Sequence, residues 1–421
     1  MVVTMYGDFN TYLYQPSILL ELSLILAIVC FIFKPQYLTA LIACILLLRP
    51  NERFGCLLPY PKIVLSMLIL ILLTRCISLK SMLHNRDIKP LLAFISLIIA
   101  QSLLFHRYDL FNNVMFMSVG LSFYLAVILF MSDDKGIKLL GYVTVISFFL
   151  ICLEPLYYHY TALPGSQLWN LFHHDERIQA WGMWANPNET AFIACVGAAN
   201  LLSLTIRLRK SILYLVSAAA LPFFMLVVFL TGSRAGLASL LLLFLPLIVL
   251  IKSKPVKLFI IVSVIGILAV SQLYTPQRKD KEASAEDRFD LRYMGRQLFL
   301  EHPLMGVGFQ QAVEENRGQP LHNTYVQAFA ETGALGGILL IMFIYRVGHR
   351  LYACLKLNMT NNSSQVANIA VSAGLYLSSV FYFYWGNQLL SIMFFLIMGQ
   401  TYIITNVLSA ENCNHGEVVN I

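Results

Sequence analysis

The sequence predicts an all-α membrane protein that crosses the bilayer 12 or 13 times. Three observations carry that prediction. Of the 421 residues, 58% are hydrophobic and only 12% are charged, about half the charged share of an ordinary soluble domain. The apolar residues lie in continuous runs, many close to the ~20 residues that one helical crossing needs. Those runs do not alternate as the strands of a membrane barrel would. Lipid offers no partner to an open strand edge, so runs of this kind form helices. A soluble enzyme, a disordered chain, a disulfide scaffold and a single-anchor protein are excluded.

In chain order, the runs fall near 16–33, 36–48, 60–79, 90–105, 110–131, 138–160, 189–206, 211–231, 235–251, 257–274, 324–345, 366–384 and 388–409. The run at 36–48 is short and stops at Arg49-Pro50, which leaves the count at 12 or 13. The segment before the first run carries no basic cluster, so that run is expected to stay in the protein rather than be cleaved as a signal. The eight cysteines are mostly within apolar runs and form no CxxC pair, the pattern of small buried hydrophobes. Residues 1–409 read as a single transmembrane helical domain, with polar loops at 161–188 and 275–323, and residues 410–421 as a short disordered tail.

The net charge of +7 records topology in such a chain, not nucleic-acid binding. Arg207, Arg209 and Lys210, then Lys252, Lys254 and Lys257, then Arg346, Arg350 and Lys356 fall on one side if each run crosses once. The connections at 80–89 and 133–138 join them, and this side is expected to be cytoplasmic. Both long loops then lie on the opposite face. That face is depleted of arginine by the same rule, yet it collects Arg177, Arg234, Arg278, Arg288, Arg292, Arg296 and Arg317. The anomaly points to an anionic ligand; local pairing, such as Asp287 and Asp290 beside Arg288, is the plainer account of any single arginine.

The candidate chemistry sits in four segments. Arg177 precedes Trp181, Trp184 and the sequence Asn186-Pro187-Asn188-Glu189, in which Asn188 suits a helix cap and Glu189 the positive end of the helix dipole. The two tryptophans fit either an interfacial belt or platforms for sugar stacking. A tight turn, Thr231-Gly232-Ser233-Arg234, precedes a leucine-rich run. Arg288, Arg292 and Arg296 recur every four residues, which sets them on one helix face until Pro303, Gly306 and Gly308 break it. His322-Asn323 stands at the mouth of the next run, followed by Glu331-Thr332-Gly333. A neutral imidazole there suits proton removal from a hydroxyl, or simply helix capping. His173-His174 has no third ligand at useful spacing, so no metal site is expected, and no phosphate loop, nucleotide fingerprint or nucleophile elbow is present.

Taken together, over residues of roughly 170–345, these four segments resemble the O-antigen ligase and polymerase superfamily of bacterial membrane glycosyltransferases. The resemblance implies a GT-C-like helical bundle in the inner membrane, with its active site facing the periplasm. It implies transfer of a glycan from an undecaprenyl-pyrophosphate carrier to an acceptor hydroxyl, on lipid A-core or another glycan, in lipopolysaccharide or exopolysaccharide biosynthesis. His322 and Arg234 would be catalytic. Arg177, Arg288 and Arg292 would hold the pyrophosphate, and Asn323, Glu331 and Asn188 would support them. The reaction would invert the sugar and need no metal or other cofactor. Beyond the lipid bilayer, the partners would be the lipid-linked donor and the acceptor, with no nucleic acid.

The His322-Asn323 pair tips the expectation to ligase chemistry, with a polymerase that joins lipid-linked repeat units as the alternative. A lipid-linked glycan transporter is the reading from another class. It would require internal repeats and ionisable residues deep in several spans, and only Glu21 and Glu154 are candidates for the latter.

Overall fold

The structure is a computed structural model. It describes residues 34–49, 86–104, 110–174, 177–182, 185–250, 283–312, 321, 323–358, 363–382 and 388–414, with a few isolated positions between 254 and 266. The expected runs at 16–33 and 60–79, most of the run at 257–274, and residues 415–421 of the tail lie outside the described residues.

The described chain is helical apart from a two-residue hairpin, as expected of an all-α polytopic membrane protein. Among the described residues, five helices are long and apolar enough to cross a membrane: α4 (Asp134–Thr161), α6 (Pro187–Leu208), α7 (Ser211–Leu230), the long stretch of α10 (Thr324–Asn358) and the greater part of α12 (Gln388–Asn414). Shorter apolar helices are α1 (Pro35–Leu48), α2 (Lys89–Leu104) and α8 (Arg234–Leu250), and α3 (Leu110–Phe130) is apolar as well. The remaining helices are α5 (Gln167–Phe172), α9 (Ala283–Glu301) and α11 (Ser363–Tyr382). Alpha helices rise ~1.5 Å per residue, so α1 with its 14 residues falls short of a ~30 Å hydrocarbon core. The helix α12 runs to Asn414, so the polar tail expected from 410 begins inside it.

Local chemistry explains where the helices begin and end. Asp133 caps α4 by accepting from the Gly136 N–H at 2.7 Å. Pro35 and Pro187 open α1 and α6, where a missing N–H costs nothing. Arg49 and Arg209 close the same two helices in the left-handed conformation, at φ 48° and 50°.

Two helices form the centre. The helix α6 packs against α4, α7, α8 and α11, and α12 packs against α3, α10 and α11. Both are largely buried, whereas α7 leaves Ile212, Tyr214, Leu215 and Val216 exposed. An apolar exterior of that kind would be a liability in water and is ordinary against lipid. Tyr124, Phe343, Phe394 and Phe395 interlock where α3, α10 and α12 meet, with Tyr124 edge-on to Phe343 at 5.6 Å. Short polar links cross between helices: Ser378 donates to the Ser239 carbonyl at 2.8 Å, and Gln400 to Asn200 at 2.9 Å. Such bonds hold helices together where lipid supplies no hydrophobic drive for their association.

The bundle has two chemically different ends. Basic residues collect at one, where Arg207 pairs with Asp134 at 2.7 Å and Arg350 pairs with Asp87 at 2.8 Å. Among the described residues, that end holds Arg207, Arg350 and the 133–138 turn, which the sequence grouped on one side. The other end gathers the N-termini of α6, α8 and α10 and the C-terminus of α11. There Phe192 stacks on Tyr382 at 4.4 Å, and the Tyr325 hydroxyl donates to the Val380 carbonyl at 2.9 Å.

Candidate active site

The candidate residues lie at this second end, on short segments pinned to helix starts. The expected loop at 161–188 is a structured cap: α5, then β1 (His173–His174) paired antiparallel with β2 (Arg177–Ile178). Just beyond β2, the Ala180 N–H donates to the Thr190 hydroxyl in the first turn of α6 at 2.7 Å. Arg177 is buried, and its guanidinium stands 3.3 Å from the His174 Nδ1. Trp181 is half-buried; Trp184 lies outside the described residues.

The cap of α6 differs from the sequence expectation. Asn186, not Asn188, is the capping residue, and its side-chain oxygen accepts from the Asn188 N–H at 2.8 Å. The reason is Pro187, which fits the first helical position and so moves the cap one residue before it. Glu189 does sit in the first turn as expected, and it is buried. The Asn188 side chain is thereby released for another bond: it accepts from the Ser233 hydroxyl at 2.7 Å. The same hydroxyl accepts from the Gly236 N–H at 2.9 Å, which caps α8.

The turn before α8 is held from inside. The Thr231 hydroxyl donates to the Val228 carbonyl at 2.7 Å, and Gly232 takes a left-handed φ of 57°. At Gly236, a Cβ would stand 2.3 Å from the Ala191 Cβ, so α8 and α6 approach this closely only because the residue is glycine. Arg234 follows directly as the first residue of α8. It is exposed, and among the described residues it has no acidic partner.

The arginine helix forms as predicted. In α9, Leu291 and Gly295 face inward, with Gly295 against Val326 and Phe299 edge-on to Phe329 at 5.6 Å. Arg292 and Arg296 are exposed on its other side. Arg288 belongs to the same helix, and its side chain lies outside the described residues.

Beyond α9 the chain docks onto α10. The Val307 N–H donates to the Ala330 carbonyl at 3.0 Å, the Gly308 N–H to the Glu331 carbonyl at 2.9 Å, and the Ala334 N–H to the Pro303 carbonyl at 2.8 Å. Gln101 of α2 donates to the Met305 carbonyl from the far side. This docking breaks α10 at Gly333, whose φ is 65° and whose missing Cβ would meet the Leu304 carbonyl oxygen at 2.2 Å. Pro303, Gly306 and Gly308 do end α9 as predicted. Their second role, mating with residues 330–335, was not legible in the spacing.

Asn323 caps α10, accepting from the N–H groups of Tyr325 and Val326, both at 3.1 Å. His322 lies outside the described residues, between Leu321 and that cap. Glu331 is fully buried and accepts from the Gln327 side chain at 2.7 Å. That bond sets it in a polar seam within α10.

The bonds that Ser233, Thr190, Gln327 and His159 make at this end were missed. Ser233 carried a signal, a serine just before a helix start. His159 ends α4 within a run of tyrosines. Its Nδ1 stands 2.9 Å from the His173 Nε2, and the His173 Nδ1 donates to the Trp169 carbonyl at 2.8 Å. Because a carbonyl only accepts, His173 must present its Nε2 as the acceptor, and His159 donates to it. Trp169 stacks on His173 at 3.5 Å. Burial lowers the His173 pKa below the ordinary histidine range. No group of three or more potential metal ligands occurs among the described residues.

Residues 218–341 match the family model described as O-antigen ligase. The match spans the end of α7, α8, α9 and the first half of α10, so it contains Arg234, the arginine helix, His322, Asn323 and Glu331. Arg177 and Asn188 lie before it, joined to it by the Asn188–Ser233 bond. No curated protein matches the chain. Over this segment the resemblance inferred from the motifs is borne out. It supports an O-antigen ligase-type membrane enzyme of surface polysaccharide biosynthesis.

Proposed function

We propose that this chain transfers a glycan from a polyprenyl-pyrophosphate carrier to an acceptor hydroxyl at the periplasmic face of the bacterial inner membrane, with ligase-type chemistry. The observation that carries the reading is Arg234, exposed at the start of α8 with no acidic partner among the described residues, on a turn bonded to the first turn of α6. An exposed guanidinium on a rigid helix start suits a phosphate, which it meets with paired, permanently charged donors. The N–H groups of the same helix start add to the attraction.

In this reading the acceptor oxygen attacks the anomeric carbon, the bond from that carbon to the pyrophosphate oxygen breaks, and the configuration inverts. The acceptor proton passes to His322. Arg234 of α8, with Arg288 and Arg292 of α9, meets the charge that develops on the leaving pyrophosphate, and Arg177 adds to that positive field. Guanidinium groups then supply the electrostatic stabilisation, so the step requires no metal ion. Asn188 and Asn323 hold the two helix starts in place, and Glu331 the seam behind them.

The test is complementation of a strain lacking this gene, read on a gel of surface glycan. Wild type is expected to restore glycan on lipid A-core, and Arg234→Ala and His322→Ala to leave long polymer on its carrier. Lipid A-core carrying a single repeat unit in the deletion strain would establish the polymerase instead. Full restoration by both variants would overturn the catalytic assignment.

A further inference from the structure

The opposite end of the bundle holds a second site, unrelated to the glycan chemistry. A cavity of about 550 Å³ opens between the start of α1 and the turn that joins α3 to α4, lined by Lys34, Gln36, Tyr37, Leu129, Phe130 and Ser132 among others. Lys34 and Lys135 reach it from two sides and converge on one ring: their ammonium groups lie 6.0 and 5.2 Å from the centre of Tyr37. Both lysines are exposed, and among the described residues neither has an acidic partner.

The acids nearby are already engaged. One Asp133 carboxylate oxygen accepts from the Gly136 N–H at 2.7 Å and the other from the Gln36 amide at 2.9 Å. Asp134 pairs with Lys138 and Arg207. Asp133 lines the cavity beside Lys34 and Lys135, so two cations against one carboxylate leave the cavity one net positive charge. No side chain caps α1, so the positive end of its dipole faces the same space.

We infer that this cavity binds the phosphate headgroup of an anionic phospholipid. A free phosphate offers the lysines the same chemistry. The lipid is favoured because the cavity lies where α3 ends and α1 and α4 begin, the level of the headgroups, and because Leu129 and Phe130 give its wall an apolar side for an acyl chain. Tyrosine at that depth suits the interface, and basic pockets between spans hold such headgroups.

The test uses the full chain in nanodiscs of mixed phosphatidylglycerol and phosphatidylcholine, with the lipid retained on the protein counted by native mass spectrometry. Wild type is expected to retain phosphatidylglycerol preferentially. Each of Lys34→Gln and Lys135→Gln is expected to lower that preference about fivefold, and the pair about 30-fold. Lys34→Arg with Lys135→Arg is expected to keep it, as is Lys356→Gln, which removes a charge elsewhere at this end. Equal preference in wild type and the double glutamine variant would overturn the site. An equal loss in Lys356→Gln would overturn it in favour of diffuse surface charge. Inorganic phosphate displacing the lipid at millimolar concentration would overturn the lipid in favour of a free anion.

Discussion

The two ends of the bundle use arginine in opposite ways. At the basic end, arginines close contacts between helices. Arg350 bonds Asp87 and Asn406 and lies 4.4 Å over the Tyr402 ring, and Arg207 bonds Asp134. At the candidate active site, several contacts between segments are neutral: Ser233 to Asn188, Ala180 to Thr190, and the backbone bonds from Pro303–Gly308 to Ala330–Leu335. Arg234 and Arg296 stand out from that neutral frame, exposed. Neutral contacts of this kind leave an exposed guanidinium beside them available to a ligand. On the proposed function, the difference separates arginines that stabilise the fold from arginines that would serve the reaction.

The sharpest break of this comparison is Arg234→Ala. It is expected to cut glycan transfer by 100-fold or more while leaving the melting temperature of the protein in detergent nearly unchanged; a large loss of stability would place Arg234 with the structural arginines. Next comes Gly333→Ala, which forces a left-handed φ on alanine and drives its Cβ into the Leu304 carbonyl. We expect a loss of about 2–4 kcal/mol, read as a lower melting temperature, with transfer lost alongside it. Arg350→Ala should show the reverse of Arg234→Ala, costing about 2 kcal/mol in melting experiments, because it strands the half-buried Asp87, with transfer by the surviving folded protein intact.

Smaller effects sharpen the same contrast. Ser233→Ala removes the cap of α8 and the bond to Asn188, for about 1–2 kcal/mol. It should also lower transfer, because the turn carrying Arg234 loosens; unchanged transfer would show that Arg234 works without that bond. The smallest effect concerns pH. The His173 pKa is lowered in the fold, so the unfolded chain binds more protons as pH falls below about 6.5. The contribution of His173 to stability is complete above that pH and declines as pH falls through and below it. A His173→Gln variant should lose that part of the acid sensitivity in melting curves taken from pH 7.5 to 5.

The helices were legible because a bilayer crossing writes itself into the sequence as a long apolar run, and the ends found for α4, α6, α7 and α8 fall within a few residues of those runs. The arginine face of α9 was legible from its four-residue spacing. The cap of α6 was misplaced by two residues, because the reading weighed asparagine preference above the place of Pro187. The docking of Pro303–Gly308 onto Ala330–Ala334 was hidden for a different reason. It consists of backbone hydrogen bonds between segments more than 20 residues apart, and backbone groups leave no residue-specific mark. Only the glycines hinted at it, and glycine reads equally well as a helix breaker.

That docking has a consequence for how the protein can vary by descent. Residues 303–308 and 330–335 meet through two pairs of bonds, Val307 and Gly308 to Ala330 and Glu331, and Ala334 and Leu335 to Pro303 and Leu304, so a residue gained or lost within either stretch pulls one pair out of step with the other. Insertions and deletions are then confined to the chain between the two stretches and to the chain ahead of α9. Alleles that exchange one stretch between distant relatives must exchange its mate as well, and a chimera joined between Gly308 and Ala330 is expected to inherit two halves that do not fit.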